Sequence, residues 1–156
     1  MPCWREQYDR MKRWHARIEN AAVADAQHVD NVHAFFICCF HLKDWLKADP
    51  SIDAVVRKRA EDLVNANVFL KLCADLANGS KHMVLGGFVR VAPGLVLASG
   101  PQVSTYSRKY GDSFPTIDTA DGRVLFPAFL VAGKCVDVWD EFLGRYGMLA
   151  PGPGNG

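Results

Sequence analysis

His41 and Asp44 interrupt the apolar run FHLKDWL, and Asp75, Asn78, Lys81 and His82 punctuate CADLANGSKH. Asp30, His33, Ile37, His41 and Asp44 follow one another at steps of three or four residues, and so do Lys71, Asp75, Asn78 and His82. On helices, each set shares one face, and two such helices packed antiparallel bring one polar stripe to the other. An imidazole with a pKa near ~6.5 takes and gives protons at neutral pH. A neighbouring carboxylate fixes its tautomer, and lysine stabilises charge on a phosphoryl oxygen. Histidine plus a cation is a sufficient kit for metal-independent RNA cleavage, in which the 2′-hydroxyl attacks and the base only removes its proton. The candidate catalytic residues are therefore His82, Asn78 and Lys81, with His41 and Asp44 in support. The competing reading is structural: buried polar residues on facing helices satisfy one another and fix register.

Other chemistries find less support. His33, His41, Asp44 and His82 could supply two or three metal ligands. However, no HExxH or ExxH pair occurs, and carboxylate-bridged sites in bundles need several inward glutamates, so neither metal nor cofactor is expected. No GxxxxGK[ST] phosphate loop and no GxSxG elbow is present. Cysteines stand at 3, 38, 39, 73 and 135, with no CxxC pair. They read as free thiols packed as small hydrophobes in a reducing compartment. Gly79, beside Asn78 in a helical pattern, suggests a close backbone approach or a ligand.

The elements that must position these groups are mostly helical. A first helix is predicted from about Cys3 to Asn20, with Trp4, Tyr8, Met11, His15 and Ile18 on one face. A second runs from an Asp30 cap to Asp49; it is apolar almost all round between Ala34 and Leu46, which places it at the centre of a bundle. Asp49 is expected to cap a third helix with Pro50 in its first turn. Asn67 is expected to cap a fourth, Val68 to about Met83. Residues 88–126 change character: FVRV, GLVLAS and VSTYS read as strands, and TIDT and RVLF flank an Ala120-Asp121-Gly122 turn. A last helix runs from near Pro127 to about Arg145. The fold class is thus mainly α, a bundle of four to five helices with a small β-rich insertion before the last. It forms one domain over 1–146, with a disordered tail over 147–156.

The chain has 156 residues, 49% hydrophobic and 22% charged, with net charge +1. That balance is not the basic footprint of a nucleic-acid scaffold. The cluster Arg5, Arg10, Lys12, Arg13 and Arg17 reads better as a solvated helix face. The first residues hold no apolar signal-like stretch, and the longest apolar run is too short to span a bilayer. No membrane partner and a cytoplasmic location are expected.

FF-x-C-x-x-HLKDWL, then C-x-D-x-x-NG-x-KH, then a final helix ending in WDEFL resemble small bacterial proteins of the HEPN superfamily, over roughly residues 4–83 and 127–145. The resemblance implies a helical bundle that pairs with a second copy. It also implies either a ribonuclease of toxin or defence type acting on RNA, or an inactive interaction or ligand-sensing module with a protein partner. Active members carry an RNxxxH-type motif. Here Asn78 and His82 match it, while Ala77 stands at the arginine position. A second Arg-x4-His match, Arg10 and His15, lies on the first helix. A small-molecule-binding bundle, with the stripe lining a pocket, is a third reading.

Overall fold

Val32, Phe35, Phe36, Cys39, Leu42 and Leu46 are completely buried on a single long helix, and the computed structural model arranges the rest of the chain around it. The structure describes residues 3–19, 26–79, 102–107, 113–118 and 124–150. In chain order they form α1 (Trp4–Glu19), α2 (Ala26–Ala48), α3 (Ala54–Ala66), α4 (Val68–Gly79), β1 (Gln102–Ser107), β2 (Ser113–Asp118), β3 (Val124–Pro127) and α5 (Ala128–Arg145). The central helix is α2, and it packs on each of the other four helices. Full burial of a Phe or Leu side chain contributes about 1.5–3 kcal/mol, so this one helix anchors most of the core.

The five predicted helices are present, and several of their ends differ; the expected end of the fourth, near Met83, lies outside the described residues. α2 starts one turn before Asp30, which is an exposed residue inside the helix and not its cap. The extra turn carries His28 onto the buried side, four residues before Val32. Asp49 does not cap α3. Its carboxylate accepts from the Ser51 N–H at 2.9 Å, the Ser51 hydroxyl at 2.6 Å and the Trp4 N–H at 3.2 Å. The cap of α3 is Asp53, which accepts from the Val55 N–H at 2.7 Å. Pro50 and Ser51 form the turn between. Asn67 serves two helices. Its backbone N–H closes α3 on the Leu63 carbonyl, while its side-chain oxygen accepts from Phe69 and Leu70 at 3.0 and 3.1 Å to open α4.

The outer helices follow the three-and-four rule. α1 buries Trp4, Gln7, Met11 and Ile18, and the buried Gln7 amide donates to the Cys38 carbonyl at 2.8 Å. Tyr8 and Lys12 reach Asp140 on α5, at 2.7 and 3.1 Å. Burial and the Asp140 carboxylate together push the Tyr8 phenol up from its ordinary range. The basic residues of α1 lie largely on rings and carboxylates: Arg5 over Trp4, Arg17 over Trp14 and Arg10 over Trp45.

Before α5 the strands form an antiparallel meander in the order β1-β2-β3. Gln102 pairs with Asp118 and Ser107 with Ser113, and the β2–β3 register shifts between Ile117 and Asp118. Ile117 and Thr116 are buried, and the sheet lies against α2, α4 and α5. The expected strands at FVRV and GLVLAS, and the Ala120-Asp121-Gly122 turn, lie outside the described residues. α5 ends in paired turns: Met148 N–H donates to the Leu143 carbonyl at 2.9 Å and Gly147 N–H to Gly144 at 3.0 Å, with Gly147 at φ 65. This left-handed helix end needs glycine at C′. It folds Met148 and Leu149 back against the core, so packing continues beyond the expected boundary at 146.

Candidate functional site

His41 and Asp44 stand one helical turn apart on α2, with His41 Nδ1 3.0 Å from Asp44 Oδ2. Lys43 Nζ donates to the other carboxylate oxygen at 2.6 Å. Lys43 also lies 3.9 Å from Glu61 of α3 and 4.8 Å above the Phe40 ring. Its side chain is only 10% exposed, against 30% for His41 and 46% for Asp44. A buried lysine stem thus brings its charge to a half-open carboxylate. Burial pushes the Asp44 carboxyl up, but hydrogen bonds from Lys43 and then His41 override it and hold it below its usual range. With Nδ1 donating to Asp44, a neutral His41 ring carries its lone pair on Nε2.

The rest of the α2 stripe lies on the boundary between core and solvent. Asp30 is exposed, and His33, Ile37, His41 and Asp44 are half-buried. The His33 Nδ1 atom is buried without a hydrogen-bond partner. Burial lowers its pKa, against the pull of Asp30.

On α4, Asp75 is buried at 1% exposure and Asn78 is half-buried in the last turn. Lys81 and His82 lie outside the described residues, so the structure brings together only His41 and Asp44 of the five candidate catalytic residues. Ala77 is 1% exposed and faces the core. A Cβ built on Gly79 meets nothing within 4 Å, so the expected close backbone approach is not found among the described residues. Arg10 and His15 diverge: Arg10 reaches the Gln7 side chain at 2.8 Å, while the His15 ring packs 5.8 Å from Phe35. Five residues turn a helix by roughly 140° beyond a full turn, so the pair does not converge.

Lys43 escapes the stripe rule because it stands two residues from His41, on another face of the helix. Only the reach of its stem returns it to Asp44. Cys39, Cys73 and Cys135 escape for a different reason: they converge from α2, α4 and α5, helices distant in sequence, and no local spacing announces them. Among the described residues, no helix is long and apolar enough to cross a membrane. No protein-family model, no curated protein and no solved structure matches this chain.

Proposed function

We propose that this chain is a helical module that works by binding, HEPN-like in form and without nuclease activity of its own. The burial of Ala77 carries this reading. In an RNxxxH-type motif the arginine must reach a phosphate, yet the residue at that position here points into packed core. A guanidinium there would lose water without gaining a phosphate. The net charge of +1 agrees, since it offers no long-range attraction for RNA. Pairing of two copies belongs to the same reading, through the resemblance, and predicts a solution mass twice that of the chain.

His41, Lys43 and Asp44 favour a second reading, metal-independent RNA cleavage. A carboxylate orients the imidazole, and an ammonium stands 2.6 Å from that same carboxylate. The arrangement has a base and a cation, but the cation is spent on Asp44 and Glu61. Incubation with total RNA in EDTA separates the readings. Neither wild type nor His82→Ala is expected to cleave. Cleavage by wild type that His82→Ala or His41→Ala abolishes would establish the nuclease instead.

A further inference from the structure

The sulfurs of Cys39 on α2, Cys73 on α4 and Cys135 on α5 lie within 4.8 Å of one another, and all three residues are completely buried. Among the described residues, this is the one group of three or more His, Cys, Asp or Glu side chains close enough to hold an ion together. The triangle is held from outside: the Cys73 thiol donates to the Phe36 carbonyl at 3.3 Å and the Cys135 thiol to the Phe69 carbonyl at 3.5 Å. Trp139, one helical turn beyond Cys135 on α5, is also fully buried, and its indole N–H has no partner in hydrogen-bond range.

We infer that these three cysteines form a site for trivalent arsenic, taken up as arsenite and held by three sulfurs. Charge selects the ion. Three thiolates around a divalent zinc leave one negative charge, and around a monovalent copper two. In a dry core such a residual charge is expensive unless a counter-charge is present. Zinc also takes four ligands in closed sites, and the cluster offers three. Trivalent arsenic takes three and leaves a neutral centre.

The exchange balances without an oxidant: As(OH)3 and three thiols give the tris-thiolate and three waters. Each As–O and S–H bond is replaced by an As–S and an O–H bond, and arsenic stays trivalent. With sulfurs about 2.3 Å from a bound ion, as for zinc, three of them stand no more than ~4 Å apart. A pair at the 4.8 Å limit therefore has to close by roughly 1 Å or somewhat more, which rotation about χ1 can supply.

Because no sulfur is exposed, entry requires local opening of the bundle, and uptake should quicken in urea below the unfolding transition.

The test uses the full chain, reduced with a phosphine, mixed with sodium arsenite and desalted. One arsenic per chain is expected by elemental analysis, and X-ray absorption at arsenic should count three sulfurs and no oxygen. Cys39→Ala, Cys73→Ala and Cys135→Ala should each weaken retention by at least about tenfold. Cys3→Ser and Cys38→Ala should retain the ion. The wild-type absorption measurement stands even if a core variant fails to fold. Absence of retained arsenic, two sulfurs with an oxygen, loss on Cys3→Ser, or preferential retention of zinc from an equal mixture would each overturn the assignment.

Discussion

The Trp4 N–H donates to the Asp49 carboxylate across 45 residues, at 3.2 Å. This one bond ties the start of α1 to the end of α2, while Ser51 occupies the other carboxylate oxygen through both its N–H and its hydroxyl. These hydrogen bonds, Ser51 first, hold the Asp49 carboxyl below its ordinary range. The Asp44 carboxyl is likewise held low.

A folded-state pKa below the unfolded value means stability that is present above the unfolded pKa and lost as pH falls through the folded one. For a carboxylate that reference is about 3.9. Thermal melts should therefore decline gently below about pH 6.5, where burial makes His33 resist protonation, and fall steeply below about pH 4. Asp49→Asn should lower the melting temperature at neutral pH and make the acid fall shallower. An acid limb unchanged in Asp49→Asn would show that Asp49 does not carry it.

Asn67 caps the end of one helix and the start of the next. Asn67→Ala keeps the backbone N–H and removes the side-chain acceptor, so it should cost about 1 kcal/mol, the usual value of an N-cap. Urea denaturation would read this as a lower midpoint at unchanged slope.

Gly144 and Gly147 should respond to alanine with opposite signs. Gly144 is helical and a Cβ there meets nothing within 4 Å, so Gly144→Ala should stabilise by about 0.5–1 kcal/mol. Gly147 sits at φ 65, and Gly147→Ala should destabilise by about 1 kcal/mol. Melting temperatures that shift in the same direction would contradict the geometry of this helix end.

Ala77→Arg introduces the arginine that the resemblance to HEPN ribonucleases would call for at this position. It places an unpaired charge where 1% of the residue is exposed. The expected cost is about 3–5 kcal/mol, with no gain of RNA cleavage. A stably folded Ala77→Arg protein that cuts RNA would show that this position opens to a cleft.

The helices were largely legible because burial imposes a period. The apolar belt from Ala34 to Leu46 forces a central helix, and Asn67 declares a boundary by its own chemistry. Asp30 misled because a capping residue type does not stop a helix when Ala26 and Gln27 before it favour continuing. Asp49 misled because two acids precede α3, and only tertiary contact with Trp4 decides which of them caps it. Of the candidate site, the His41–Asp44 pair is local and was readable. Lys43 depends on side-chain reach, and the cysteine triangle on how three helices pack, and neither leaves a mark in sequence spacing.

The most direct test is a search for RNA 2′,3′-cyclic phosphate ends, the product expected when a base activates the 2′-hydroxyl without a metal. Labelled RNA incubated with the purified chain in EDTA should yield no more such ends than RNA alone. Cyclic phosphate ends made by wild type and lost in His41→Ala or His82→Ala would contradict the reading of this chain as a binding module.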